Sequence, residues 1–439
     1  MGINTGIKCF WLKKIKIFLV FGNHLNILIT YHFPPFMIVK VEEIERIKLN
    51  FDEYIVKVKE IIEDVKKRGD EALIDFTRKF DGVELKRIEV DETDIENAYD
   101  EVDDELIDAL EIAKENIEKF HMISSVDREI KIDFDEIILG KIYVPLDSVG
   151  IYIPGGKASY PSTALMAGIP ANIAGVERIV ACTPPNKNGK VNSLTLVACD
   201  IAGIDEIYTV GGVQAIAAMA YGTESIAKVD KIVGPGNVYV TAAKLVVQKD
   251  VPIDMPAGPS EILVIADDTA NPYFVALDCA AQLEHDPMAL AIVLTTSQQF
   301  AEKIERQAVE LEYSDRLKIA IVNLDEAIEL ANKLAPEHLS LIFNGCEEYI
   351  NKIKHAGSVF LGNYSPVAAG DYASGTNHIL PTAGYARMFS GLSVETFLKH
   401  TTYQILTREG LKRIGDAIVK IAKAEGLDMH AKSVEERLK

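Results

Sequence analysis

Apolar positions along this chain change their period once, and the change divides it. Over 51–68 the residues Ile55, Val58, Ile61, Ile62 and Val65 recur at helical intervals, which predicts an amphipathic helix. Gly69 is placed to stop it, and the same period restarts over 70–80. The Arg-Gly-Asp at that point therefore reads as a helix boundary rather than an adhesion motif. A third helical stretch, 105–121, follows an acidic run with the character of a solvated face. His121 at its end has no partner nearby in sequence and is read as structural. At Gly140 the texture changes to short β-rich runs: VGIYIP (149–154), RIVAC (178–182), EIYTV (206–210) and KIVGP (231–235). Helix-like segments at 162–174, 193–202 and 213–221 separate them. A second series repeats the style, with strands at 261–267, 289–296, 317–322 and 338–343 and helices at 274–284, 298–310, 324–334 and 347–355.

Such alternation predicts parallel sheets flanked by helices, here two α/β units in succession with no alignable repeat between them. Sheets of this kind bind ligands beyond the carboxyl ends of their strands, and TVGGVQAIAAMA is a junction of that sort. No G-x-G-x-x-G occurs, so the units are Rossmann-like without the usual fingerprint. The chain closes with a helical segment, 411–424, and a charged tail. That segment is too small to fold alone and is expected to dock, for instance on another subunit.

Composition narrows the classes. The chain has 439 residues and is 48% hydrophobic, enough to fill more than one core. A formal charge of −20 argues against a nucleic-acid partner. Five scattered cysteines without a C-x-x-C pair suit a reducing cytosol. Residues 1–36 stand apart, with the only tryptophan (Trp11) and an apolar run broken by Asn23, His24 and Asn26. Lys13, Lys14 and Lys16 flank it as in a signal peptide, but no small-residue cleavage site follows. As a membrane span it is short and interrupted by polar residues. The expectation is an over-extended start, with translation beginning at Met37, no membrane partner and a cytoplasmic location.

Five stretches hold residues that packing does not demand. In AAQLEHD (280–286), Gln282 and His285 stand three apart and so share a helix face, where an amide oxygen and an imidazole could hold two corners of a metal site. Glutamine is an unusual ligand, and a polar helix end is the plainer reading of these residues alone. IDMPAGPSE (253–261) sets Ser260 and Glu261 beside a Gly-Pro turn, and APEHL (335–339) makes Glu337 and His338 neighbours. GDYASGTNHILPT (370–382) carries Asp371 and His378, and the tail adds Glu425 and His430. Polar Gly-rich loops between apolar elements are a common place for function.

With VGIYIPGG, GGVQAIAA, VGPGNVYVTAAK, DMPAGPSE, AAQLEHD, APEHL and GDYASGTNHILPT in this order and spacing, the chain resembles the histidinol dehydrogenase family from about Val41 to its end. The resemblance implies the last two oxidations of histidine synthesis, a four-electron, NAD-dependent conversion of L-histidinol to L-histidine through the aldehyde. It implies one Zn2+ per subunit on Gln282, His285, Asp371 and His430, and a homodimer in which His430 and Glu425 reach the partner's site. Glu337 and His338 take the catalytic positions, His338 as base in both oxidations and Glu337 activating the water that hydrates the aldehyde. Substrate contacts fall on Ser260, His378 and Glu425 together with His338 and the four ligands; Tyr152, Gln214 and Asn237 match positions that meet NAD. His355 and His400 match nothing assigned.

The implied division is a helical arm and the start of a first α/β domain over 37–148, and an NAD-binding Rossmann-like domain over 149–257. The second part of the first domain, with the metal site, follows over 258–385, then a dimer-exchanged helical segment over 386–439. A zinc hydrolase would use similar ligands, but no H-E-x-x-H helix is present and GGVQAIAA and GPGN go unexplained. A non-catalytic metal-binding or scaffold protein would not reduce NAD. A single-step alcohol dehydrogenase would yield one NADH per substrate rather than two.

Overall fold

The computed structural model describes the strands at 15–20 and 26–31 and residues 37–46, 50–123, 128–155 and 159–439. Ile15–Val20 and Asn26–Tyr31 pair antiparallel. The rest of the 1–36 leader, expected to be an over-extended start, lies outside the described residues. The chain divides into two compact units, one of residues 1–50, 255–370 and 380–391, the other of 51–254, 371–379 and 392–439. It is an α/β protein with a parallel sheet in each.

The first unit is built on five parallel strands in the order Leu317–Ile321, Leu290–Thr295, Glu261–Ala266, His338–Ile342, Ser358–Leu361. The central strand Glu261–Ala266 is buried along its whole length, which is why EILVIA is an unbroken run rather than an alternating one. Val264, Val293, Phe300 and Ile304 share one core cluster, and Leu263, Leu294, Ile328 and Leu341 share another. The helices Pro272–Glu284, Gln298–Glu310 and Leu324–Leu334 start on side-chain caps from Asn271, Ser297 and Asn323. Met37 is fully buried, and backbone bonds of 2.7 and 2.8 Å join Met37 and Val39 to Ile319. The helix expected over 347–355 is instead the 3-10 helix Cys346–Lys352. Asn332 draws the chain out of it, its Oδ1 accepting from the N–H groups of Lys354 and His355.

The second unit carries four parallel strands in the order Glu206–Tyr208, Arg178–Cys182, Ser148–Tyr152, Lys231–Val233. Asp52–Arg68 and Asp70–Phe80 meet at Gly69, whose φ of 56° is a conformation that L side chains rarely adopt. Glu92–Glu101 and Val238–Val247 are helices that the apolar pattern does not announce. The antiparallel sheet Leu398–Leu406, Ile137–Pro145, Glu129–Phe134 is likewise unannounced. Glu129–Phe134 does alternate, but every residue in it is exposed in one chain, so its period carries no burial signal. Arg408–Ala424 and Asp428–Leu438 follow this sheet, tied to it by Thr407 N–H donating to the Glu136 carbonyl at 3.2 Å. Among the described residues no helix is long and apolar enough to cross a membrane.

Candidate active site

In the first unit the register sets Ile262 beside His338, so the residues that open these two strands lie side by side. The Glu261 N–H donates to Glu337 Oε2 at 2.9 Å, tying the Glu337 carboxylate to the neighbouring strand. That oxygen lies 3.8 Å from His338 Nδ1. Gln282, on the last turn of Pro272–Glu284, places Oε1 3.0 Å from the same Nδ1. With Nδ1–H donating to the amide, Nε2 keeps its lone pair and is the basic nitrogen of His338. The amide oxygen has a second lone pair that this bond does not use. Glu337, His338 and Gln282 are each no more than 5% exposed.

Glu261 is buried beside them, and burial pushes its carboxyl up to about 7 despite the backbone N–H groups of Ala383, Glu337 and Gly384. Ser260, half-buried, precedes it, and His285 caps the helix that carries Gln282 and is exposed. This cluster sits at the amino ends of its strands, where Pro272–Glu284 returns antiparallel to them and delivers its last turn. The usual rule for open α/β sheets points to the opposite end.

In the second unit the same rule points to other residues. The strand order reverses between Ser148–Tyr152 and Lys231–Val233, and such a switch point leaves a crevice beyond the carboxyl ends. Tyr152 ends one strand, and its buried hydroxyl accepts from the Gly212 N–H at 3.2 Å. Burial lifts that phenol to about 12, so it stays protonated. Asn237 follows the other strand and caps Val238–Val247, accepting from the N–H groups of Tyr239 and Val240. Gln214, on the first turn of Gly212–Tyr221, is 1% exposed, and neither atom of its amide has a hydrogen-bond partner among the described residues. An orphaned buried amide is costly, and a polar ligand in the crevice would satisfy it. The structure thus brings Tyr152 to the Gly212–Gln214 turn, with Asn237 at the switch point.

A family model for histidinol dehydrogenase matches residues 44–438. The chain belongs to the histidinol dehydrogenase family. It is 63% identical over 401 residues to the histidinol dehydrogenase of Archaeoglobus fulgidus, covering 91% of this chain and 99% of that one. The enzyme of Methanocaldococcus jannaschii is 53% identical over 408 residues, covering 90% and 95%. Among solved structures, histidinol dehydrogenase from Elizabethkingia anophelis matches with a TM-score of 0.85 at 44% identity, covering 90% of this chain and 93% of that one.

Of the remaining positions implied by the histidinol dehydrogenase resemblance, Asp371 and His378 lie together in the second unit. His378 Nδ1 is 2.8 Å from the Asp371 carbonyl oxygen, and its Nε2 is 3.4 Å from Thr163 Oγ1. Burial pushes the Asp371 carboxyl up to about 7, and a cation beside it would restore the ionised form. Glu425 closes Arg408–Ala424 and His430 opens Asp428–Leu438; both are exposed in one chain. Among the described residues no three His, Cys, Asp or Glu side chains form a metal-holding cluster. The expected set differs in kind, with one amide ligand and one histidine from a second chain.

Cys182, Cys199, Cys279 and Cys346 are free and buried, and burial pushes each thiol up, away from the thiolate a nucleophile needs. The Gly-Pro turn beside Glu261 marks that residue in the sequence, but nothing there gives it a place against Glu337. Lys244 and Asp254 escape a reading of the sequence altogether. They are seen as a pair only once Val238–Val247 is folded.

Proposed function

We propose that this protein oxidises L-histidinol to L-histidine through L-histidinaldehyde, passing two hydrides to two NAD in succession. The contact that carries the reading is His338 Nδ1 at 3.0 Å from Gln282 Oε1, beside the Glu337 carboxylate. It supplies a base with a defined basic nitrogen next to a second group able to take a proton, which is what an alcohol oxidation followed by a hydration requires.

In the first oxidation His338 Nε2 takes the hydroxyl proton while the carbinol hydrogen leaves as hydride. The Glu337 carboxylate then draws a proton from water as the water oxygen adds to the aldehyde carbon, while protonated His338 returns its proton to the carbonyl oxygen, which completes the diol and restores the base. His338 takes the hydroxyl proton of the resulting diol in the second oxidation. Ser260, His378 and the partner's Glu425 orient the substrate. Gln282, His285, Asp371 and His430 of the partner subunit would hold Zn2+, which would supply an electrophilic anchor for the nitrogen groups of histidinol. Tyr152, Gln214 and Asn237 would hold NAD, which accepts the hydrides; the orphaned Gln214 amide supports that fit. The buried thiols agree with a route that needs no thioester.

The test is an NADH count run to completion with Zn2+-loaded protein and L-histidinol. Two NADH per histidinol, lost on chelation, is the expected result. One NADH with aldehyde released would remove the role given to Glu337, and none from folded protein would remove the reading altogether.

A further inference from the structure

Beside the strand switch point of the second unit lies an ion pair that packing does not explain. Lys244 and Asp254 have side chains 4% and 1% exposed, with Nζ 2.5 Å from Oδ1. Each partner also grips the same residue. Lys244 Nζ donates to the Gly234 carbonyl at 2.8 Å, and the Gly234 N–H donates to Asp254 Oδ2 at 2.8 Å. Gly234 follows the strand Lys231–Val233 with φ +109°, a conformation that L side chains rarely adopt. A Cβ there would lie 2.2 Å from the carbonyl oxygen of Tyr152. Both polar backbone atoms of this glycine are therefore held by opposite charges while its face lies against the end of the neighbouring strand.

An apolar pair of similar volume would hold the fold about as well, since desolvating two charges offsets most of their attraction. What the pair adds is direction. It fixes the exit angle of the turn Gly234–Pro235–Gly236–Asn237 at its first residue, while Asn237 fixes the last by capping Val238–Val247. Lys244 lies on that same helix, so strand end, turn and helix form one closed loop of bonds.

We propose that Lys244 and Asp254 are positioning residues for the dinucleotide, acting through Gly234 to set the turn that receives it at the switch point. The inference rests on the NAD reading above.

The test compares wild type with Lys244→Met and with Lys244→Met/Asp254→Asn, the second leaving no unpaired buried charge and so keeping the fold should the first variant unfold. NAD binding is measured by calorimetry on folded protein, and histidinol binding on the Zn2+-loaded form. The expected result is NAD affinity weakened by about tenfold or more, the equivalent of one good hydrogen bond, with histidinol affinity within about twofold of wild type. In turnover, KM for NAD would rise while KM for histidinol stays. NAD binding unchanged in the folded double variant would overturn the proposal, as would equal losses for both ligands. Wild type that binds no NAD would instead sink the functional reading on which the proposal rests.

Discussion

His338 meets Gln282 through one ring nitrogen, and that contact decides which nitrogen is left to take a proton. Replacing His338 by Ala should lower kcat by about 10²–10⁴ with either histidinol or histidinaldehyde as substrate, the usual worth of a general base. Glu337→Gln should stall the reaction after the first NADH. Steady-state rates with each substrate check both, and an unimpaired second step in the Glu337→Gln variant would assign the hydration elsewhere.

Glu261 gives a pH signature of its own. Its carboxyl rises from 4.5 to about 7 on folding, so its contribution to stability is complete below about pH 4.5 and is lost as pH rises through 7. That shift is worth on the order of 3 kcal/mol. Glu261→Gln, neutral throughout, should therefore gain on wild type between pH 5 and 8 and match it below. Denaturant titrations across that window would show the gap open; parallel curves would mean that the carboxyl is not desolvated. At this scale the sequence already presents Glu337 and His338 as neighbours. It cannot present Gln282 or Glu261 against them, because strand register and a helix end bring those together over separations of 56 and 76 residues.

Among the elements, most strand and helix runs of the two parallel-sheet units were legible, and for one reason. Strands buried on both faces must be apolar throughout, and the intervening helices must carry an apolar stripe or be apolar all round. The antiparallel sheet was not legible, because its strands are short of buried positions within one chain. Asn237 caps Val238–Val247 and is proposed to meet NAD as well. Its loss as helix cap in Asn237→Ala should lower stability by about 1 kcal/mol, whereas Asn237→Asp keeps the capping oxygen. If the residue also meets NAD, the Asp variant should retain the thermal midpoint of wild type yet bind NAD more weakly, its added charge disfavouring an anionic cofactor. Equal NAD affinity in both proteins would leave Asn237 as a cap alone.

Across the molecule, the antiparallel sheet leaves Ile130, Ile132, Phe134, Leu139, Ile142 and Ile405 exposed in one chain, and the terminal helices leave Ile421 and Met429 exposed as well. Exposed apolar area of this extent suits a face covered by a second subunit. Subunit exchange of His430 has a sharp test in mixed dimers of His338→Ala and His430→Ala chains. Each parent should be inactive. If His430 serves the partner's site, mixed dimers regain one intact site of two, and a random mixture recovers about a quarter of wild-type activity in a closed two-fold assembly. If it serves its own subunit, nothing is recovered.

Apolar periodicity and the seven motifs are local properties of a stretch of chain. For that reason most elements of the two parallel-sheet units, and the family, follow from the order of residues alone. The chemistry-bearing residues follow too, though only as separate points. Folding settled that 51–148 packs with the 149–254 sheet and that 37–50 packs with 255–370 and 380–391. It also settled that the Glu337–His338 cluster forms at the amino ends of its strands, and that Lys244 and Asp254 share Gly234. Those outcomes depend on register, crossover and burial, which arise between distant segments and leave no mark within any one of them.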